Sequence, residues 1–117
     1  MIKIYHNNRC SKSRAALQAI QQSGNKFEII DYLNNAPTLA ELKKLISNSE
    51  YNVIDFVRTK EKIFVENYRN LSLTDNQLLE ILAKHPELLE RPIVVYNKKV
   101  IIVRDEEKLK EISNWRI

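Results

Sequence analysis

The chain has 117 residues with 44% hydrophobic and 29% charged residues, and its formal net charge is +4. This composition is that of one folded globular domain, and it excludes a disordered chain and a membrane-spanning one, because no apolar run is long enough to cross a bilayer. The chain has a single cysteine, so it cannot form an internal disulfide, and any redox cycle needs a thiol from another molecule.

The same features set expectations about location and partners. The N-terminus reads as a strand and not as a secretory signal, so we expect a cytoplasmic protein that does not bind membranes. The net positive charge favours anionic partners. The basic residues are dispersed among acidic ones, without an aromatic-basic recognition motif, so nucleic acid is not an expected partner. We take a monomer as the default oligomeric state.

The first part of the chain has the pattern of a strand–helix–strand unit. Ile2–Tyr5 alternates apolar and polar residues, as a half-buried strand does. Apolar residues then recur at helical spacing up to Gly24, and residues 27–32 read as a second strand. The two strands of such a unit lie parallel, which places the loop after the first strand at the carboxyl edge of the sheet, where open α/β sheets bind ligands.

A helical insertion is predicted at about residues 37–90. Capping boxes begin two of its helices, at Thr38 and at Thr74. Between them, Asn52 is predicted to begin a further helix that ends around residues 58–60.

The last part of the chain predicts a β-hairpin followed by a helix. The strands are Ile93–Tyr96 and residues 100–103, two β-branched runs separated by three polar residues, and the helix runs over residues 105–113. The order of elements predicts a single α/β domain over residues 1–117, with a four-stranded mixed sheet, helices on both faces and the helical insertion between strands 2 and 3.

Cys10 lies where the first predicted strand gives way to the first helix. A sulfur at that place faces unpaired backbone N–H groups and the positive end of the helix dipole, which favour thiolate over thiol. The nearby basic residues, which favour it too, are Arg9, Lys12 and Arg14. A lone cysteine is most often a small buried apolar residue, but this polar setting, with Ser11 and Ser13 at the helix start, indicates a nucleophile. The same N–H groups could hold a tetrahedral oxyanion beside the sulfur.

Two further side chains near Cys10 have possible chemical roles. His6 precedes it by four residues and is either an ordinary strand-end histidine or a group that approaches the sulfur and helps it to ionise. Ser13 occupies the position of the second cysteine in a Cys-x-x-Cys motif. Its hydroxyl cannot resolve an adduct on Cys10, so we expect it to donate a hydrogen bond to the thiolate or to an adduct oxygen, and an external thiol to resolve the adduct.

Three arginines, far apart in the sequence, are candidate oxyanion ligands. Arg91 and Arg104 bracket the hairpin and can project toward the same sheet edge, and Arg58 is predicted at a helix end. A guanidinium fork suits a tetrahedral oxyanion. From spacing alone, the simpler interpretation is that each arginine covers a helix end or pairs with a carboxylate. Pro92 opens a strand, where a missing N–H costs least.

Three ordered motifs in this sequence resemble the ArsC-type arsenate reductases, the kind linked to glutathione and glutaredoxin. The motifs are residues 5–14, 57–61 and 90–95, so the resemblance runs over essentially the whole chain. It implies a thioredoxin-like fold, in agreement with the predicted order of elements. Asn8 departs from the family pattern, which usually has proline in the loop before the cysteine.

The resemblance also implies a reaction and a set of site residues. Cys10 would attack arsenate, glutathione would attack the resulting adduct as a co-substrate, and glutaredoxin would reduce the mixed species to release arsenite, with no metal and no bound organic cofactor. The family's oxyanion-binding arginines match Arg58, Arg91 and Arg104, although the neighbours of Arg104 lack the family's usual glycine and proline. The resemblance further implies a cis peptide bond before Pro92, which lies against the active cysteine in thioredoxin-like folds.

Two alternatives remain open at this stage. One is a thioredoxin-like interaction module similar to the related Spx regulators, which carry a Cys-x-x-Cys switch where this chain has Ser13. The other is a thiol-dependent reductase with an unknown substrate, since a pocket shaped for arsenate also accepts phosphate or sulfate.

Overall fold

The structure, a computed structural model that describes residues 1–116, contains one mixed β-sheet of four strands in that range. The strands are β1 (Ile2–Tyr5), β2 (Phe27–Ile30), β3 (Ile93–Tyr96) and β4 (Lys99–Ile102). They are arranged in the order β2-β1-β3-β4, with β1 parallel to β2 and antiparallel to β3, and β3 antiparallel to β4. The predicted four-stranded mixed sheet is confirmed.

Helices occupy much of the remaining described chain. The α-helices are α1 (Ser11–Ser23), α2 (Leu39–Ser47), α3 (Lys62–Asn67), α4 (Asp75–Lys84) and α5 (Glu106–Ser113), and single 3-10 turns form at Val53–Phe56 and Pro86–Leu88. Across residues 1–116, none of the helices has the length and apolar character needed to cross a bilayer.

The chain packs as two compact units. The first consists of Met1–Asn35 together with the described residues from Arg91 onward, and it contains the sheet, α1 and α5. The second is Ala36–Glu90, and it contains α2, α3 and α4. The bounds of the second unit agree closely with those of the predicted insertion, and the assignment of the whole chain to a single domain stays a prediction.

The core of the first unit lies between one face of the sheet and α1. Strand pairing places Ile4, Val94 and Ile101 side by side on β1, β3 and β4. These side chains pack in one buried cluster with Ala16 and Ile20, which lie on the same face of α1 and are both fully buried. Because β1 pairs on both sides and is covered by α1, the loop that joins them starts from a fixed strand and ends in a fixed helix.

Both predicted capping boxes are present in the second unit. The Thr38 hydroxyl accepts a hydrogen bond from the Glu41 N–H, and the Glu41 carboxylate accepts one from the Thr38 N–H, both at 3.1 Å. Thr74 and Gln77 exchange the corresponding bonds at 3.2 and 2.8 Å. These reciprocal bonds satisfy N–H groups that would otherwise be unpaired and determine where α2 and α4 begin.

The helix predicted to begin at Asn52 starts there, with Asn52 as its N-cap, but its predicted extent to residues 58–60 is wrong. Only the single 3-10 turn Val53–Phe56 forms there, and Val57 is extended and makes an isolated antiparallel bridge with Leu89. Val57 is buried and β-branched, so it is better accommodated in an extended pairing than in a further helical turn. Arg58 therefore follows this bridge and starts a turn, in which its carbonyl accepts a hydrogen bond from the Glu61 N–H at 3.1 Å, and it does not lie at a helix end.

The hairpin has a shorter turn than the sequence predicts. Tyr96 pairs with Lys99, so that two residues, Asn97 and Lys98, form the loop and β4 begins one residue early. Asn97 has φ = 54°, a left-handed conformation that asparagine adopts more readily than most residues.

Truncating the α1 core residue Ile20 to alanine should lower the free energy of unfolding by about 2–5 kcal/mol, because it removes a fully buried side chain and leaves a cavity. Urea denaturation measures the change. Gln18→Ala, on the exposed side of the same helix, is the control and should change stability by about 0.5 kcal/mol or less. Equal losses in the two variants would contradict this description of the core.

Candidate active site

The loop between β1 and α1 holds Cys10 at the N-cap position of α1. Two hydrogen bonds, both of 3.0 Å, shape the backbone that leads to it: the Cys10 N–H donates to the carbonyl of Asn7, and the Arg9 N–H donates to the side-chain oxygen of Asn7. On the other side, the Cys10 carbonyl accepts the N–H of Arg14 at 3.0 Å, as an N-cap residue does. The cysteine is thus tied to the turn before it and to the helix after it.

The surroundings of the Cys10 sulfur favour the thiolate. Partial burial is the largest single effect on the thiol and raises its pKa, but the backbone N–H groups of Ser13 and Lys12 and the positive charge of Arg91 all lower it, and the net result is a Cys10 pKa below its ordinary value. A cysteine has no oxygen to make the usual side-chain cap, so its sulfur is the acceptor that these first-turn N–H groups face.

Arg91 is the arginine that the structure brings to the sulfur. Its side chain hydrogen-bonds to Cys10 in addition to acting through its charge. Its Nε atom is buried and has no hydrogen-bond partner within residues 1–116, so one guanidinium donor is left unsatisfied. The Arg91–Pro92 peptide bond is cis, as the resemblance implies, and that prediction is confirmed.

His6 and Ser13 form a buried pair that the sequence does not predict. Ser13 is fully buried and His6 is 8% exposed. The Ser13 hydroxyl and His6 Nδ1 lie 2.7 Å apart and share a hydrogen bond, and the same hydroxyl accepts the N–H of Asn7 at 3.0 Å. The pair joins the end of β1 to the first turn of α1.

This placement changes the roles predicted for the two residues. The Ser13 hydroxyl was expected at the thiolate, but it is bonded to His6 and Asn7, and Ser13 contacts the sulfur through its backbone N–H instead. The side-chain contact recorded for His6 is with Ser13, so the His6 ring holds in place a residue that stabilises the thiolate. A direct effect of His6 on Cys10 stays a prediction.

Arg58 belongs to the second unit, and its recorded contacts are there. Its guanidinium forms an ion pair with Glu61 and donates to the carbonyl of Glu87 at 3.3 Å, and its N–H donates to the carbonyl of Leu88 at 2.7 Å. These contacts match the simpler interpretation drawn from the sequence, in which the arginine pairs with a nearby carboxylate. Its part in binding an oxyanion stays a prediction.

Arg104 and Ser11 lie in the first unit. Arg104 follows β4 and lines a cleft together with Lys12, the residue whose N–H faces the sulfur. Ser11 is the first residue of α1 and is exposed. For both, a contact with a bound oxyanion stays a prediction.

Sequence reasoning missed Asn7 and misread Lys12. Asn7 accepts two hydrogen bonds from N–H groups of the loop, one through its carbonyl and one through its side-chain oxygen. The side-chain bond forms an Asx turn, and an asparagine shortly before a helix N-cap is the sequence signal for it. Lys12 was expected to act through its ammonium charge, but it affects Cys10 through its backbone N–H. Any residue type except proline supplies that group, so side-chain chemistry could not reveal it.

Replacing Arg91 with glutamine should raise the midpoint of the Cys10 alkylation rate with iodoacetamide toward the ordinary thiol value of about 8.5, because a charge and a hydrogen bond that favour the thiolate are lost. The pH profile of the rate is the measurement. The sequence suggests that Arg9 also favours the thiolate, but Arg9 is not among the groups that lower the Cys10 pKa in the structure. Arg9→Gln, which removes an exposed arginine of the same loop, is therefore the matched control and should leave the midpoint unchanged. The same midpoint in all three proteins would contradict the assignment of Arg91.

The His6–Ser13 pair should behave as one unit in a double-mutant cycle. His6→Ala and Ser13→Ala should each lower the free energy of unfolding, and the double variant should lose less than their sum by about 0.5–3 kcal/mol, because either change breaks the same bond. Both variants should also raise the Cys10 alkylation midpoint, by loosening the helix start. Additive effects would show that the two side chains are independent.

The chain is similar to known proteins over nearly its whole length. The ArsC family model matches residues 5–112. The chain is 39% identical over 113 residues to a Neisseria meningitidis protein named arsenate reductase, covering 95% of this chain and 97% of that one. It is 38% identical over 115 residues to the uncharacterized Escherichia coli protein YfgD, covering 95% of each. A solved structure described as arsenate reductase from Vibrio cholerae is 39% identical with a TM-score of 0.87, covering 95% and 96% of the two chains, and its match confirms the predicted thioredoxin-like α/β fold. The chain belongs to the ArsC family.

Proposed function

We propose that this chain reduces arsenate to arsenite with Cys10 as the nucleophile. The observation that supports this most strongly is the convergence of two backbone N–H groups and the Arg91 guanidinium on one sulfur. Donors that stabilise a thiolate suit the oxygens of an oxyanion that approaches it. The similarity to proteins named arsenate reductase makes arsenate the first candidate among such oxyanions.

The first step is the formation of an arsenic–sulfur bond. The Cys10 thiolate attacks the arsenic atom, and one arsenate hydroxyl takes up a proton and leaves as water. Arg91 would neutralise charge on the arsenate oxygens with its planar fork, and the helix N–H groups would hold them in place, so that catalysis is mainly positioning and electrostatic stabilisation. Arg58 and Arg104 would complete the oxyanion site, as the family resemblance implies.

The remaining steps need thiols from outside the chain. Arsenate becomes arsenite by gaining two electrons, and two glutathione thiols supply them and end as a disulfide, with one water released overall. Ser13 occupies the place where a resolving cysteine would lie, and its hydroxyl is engaged with His6. Glutathione would therefore attack the Cys10 adduct, and glutaredoxin would remove glutathione from the mixed species.

A thiol-dependent reductase with another substrate is the second candidate. Backbone N–H groups and a guanidinium recognise negative charge and tetrahedral shape, which phosphate and sulfate share with arsenate. The similarity to the uncharacterized YfgD also favours keeping this candidate. An interaction module of the Spx kind is less well supported, because its redox switch needs a cysteine at the position of Ser13.

The direct test is a coupled assay that follows arsenate-dependent oxidation of NADPH in the presence of glutathione, glutaredoxin and glutathione reductase. We expect turnover that depends on all three components and disappears in Cys10→Ser. No turnover with fully reduced protein would favour the second candidate. Multiple turnovers with thioredoxin as the sole thiol donor would contradict the monothiol mechanism.

Arg91→Ala should lower kcat/KM for arsenate about 10- to 100-fold, since losing a charge-assisted hydrogen bond to an anion costs about 1.5–3 kcal/mol. Arg91→Lys should restore part of the loss, because it keeps the charge without the fork. The rates should be compared at a pH where Cys10 is ionised in every variant, so that the thiol pKa does not contribute. Lys43→Ala, on the exposed face of α2, is the control. A lysine variant with unchanged kinetics would mean that the fork geometry is irrelevant.

A further inference from the structure

A cleft of about 700 Å³ lies wholly within the second unit, and its lining comes from residues 54–78. This volume is within the range of sites for small molecules. The lining includes Phe64 of α3 and Leu78 of α4, each only 5% exposed. The cleft therefore adjoins the buried interior of this unit.

Two aromatic rings form part of the lining. Phe64 and Tyr68 have ring centroids 5.9 Å apart, and the Tyr68 hydroxyl lies 3.3 Å from Nε2 of His85. The other ring nitrogen of His85, Nδ1, lies 3.3 Å from a carboxylate oxygen of Glu87. These contacts hold the Tyr68 ring in place and engage its hydroxyl, so that Tyr68 presents mainly an apolar surface to the cleft.

Two exposed apolar side chains line the same cleft. Ile54 is 43% exposed and Leu71 is 58% exposed, and they are two of the five large apolar residues that are exposed among residues 1–116. A single exposed apolar residue is common on a protein surface. Two of them on one cleft with an aromatic lining indicate a binding site for an apolar group.

The charged residues of the lining favour an anion. Lys60 and Arg69 are exposed, and neither side chain has a hydrogen bond or an ion pair with any other residue in the described part of the chain. The acid of the lining is Asp75, which lies in the first turn of α4, where the helix N-terminus stabilises its charge. The cleft therefore offers two unpaired cations to a ligand, against one acid that the helix already stabilises.

We propose that this cleft binds a small amphipathic carboxylate, of the kind represented by a medium-chain fatty acid. The hydrocarbon part would lie against Phe64 and Leu71, and the carboxylate would pair with Lys60 and with the guanidinium fork of Arg69. A ligand with an ammonium group in place of the carboxylate would be repelled by the same cations. The proposal is independent of arsenate reduction, because the groups that act on the Cys10 sulfur do not line this cleft.

The experiment titrates the full chain with octanoate, below its critical micelle concentration, and follows the backbone amides by two-dimensional NMR. We expect saturable shifts centred on residues 54–78. Octanol has the same chain length without the charge and should bind more weakly, and octylammonium should bind more weakly still. The absence of saturable octanoate binding, or equal affinity for the three ligands, would overturn the proposal.

Variants of the two cations test the carboxylate contact. Lys60→Gln and Arg69→Gln should each raise the Kd for octanoate about two- to fivefold, as expected for the loss of one exposed charge pair, and leave the Kd for octanol unchanged. Lys84→Gln removes an exposed lysine of α4 that does not line the cleft, so it is the matched control and should change neither Kd. Equal effects of the Lys60 and Lys84 substitutions, or a Lys60 effect that persists with octanol, would overturn the proposal.

A pair of leucine variants tests the apolar contact. Leu71→Ser should raise the Kd for octanoate and for octanol alike, about three- to tenfold, because the lost contact does not depend on the charge of the ligand. Leu33→Ser is the matched control, since Leu33 is 41% exposed and lies outside the cleft. Both leucines are exposed, so neither change removes a core side chain. Unchanged binding of both ligands in Leu71→Ser would overturn the proposal.

Discussion

The active site depends on the interaction between the first turn of α1 and the sulfur of Cys10. The first N–H groups of any helix lack partners within the helix, and a serine, threonine or aspartate oxygen usually accepts one of them. Here the N-cap residue is a cysteine, and the N–H groups of Lys12 and Ser13 face its sulfur. A thiolate is a far better acceptor than a thiol, so these groups and the ionised cysteine stabilise each other. Because the folded-state pKa is lowered, this contribution to stability is present above the pKa of the unfolded thiol and is lost as the pH falls through the folded value.

The rest of the first unit holds that interaction in place. The buried cluster under α1 fixes the helix axis, and the pairing of β1 with both β2 and β3 fixes the point from which the loop departs. The loop itself is short and is bonded internally through Asn7 and through the Ser13 hydroxyl. Arg91 lies two residues before β3, the strand next to β1 in the sheet. This position brings its guanidinium to the sulfur although more than half of the sequence separates it from Cys10.

Local sequence signals predicted the parts of the structure that depend on local physics. The strand-to-helix junction at Cys10, both capping boxes and the four strands follow from periodicity and from hydrogen bonds between residues close in the chain. The helix that begins at Asn52 ends earlier than predicted because Val57 pairs with Leu89, which is distant in the sequence. Ser13 occupies the position of the second cysteine in a Cys-x-x-Cys motif, and this position suggested that its hydroxyl contacts the thiolate. In the structure the hydroxyl points to the buried ring of His6 instead. Arg91 comes close to Cys10 only through the folding of the sheet, and the separation of the two residues in the sequence does not predict this contact.

The claim that the helix start stabilises a thiolate is tested most directly by titrating the ultraviolet absorbance of the thiolate in the wild-type protein, with Cys10→Ser as the blank. Because this is the only cysteine of the chain, the difference between the two titrations belongs to one group. We predict a single transition with a midpoint clearly below the ordinary thiol value of about 8.5. A midpoint at or above that value would contradict the account, since burial would then outweigh the N–H groups and Arg91.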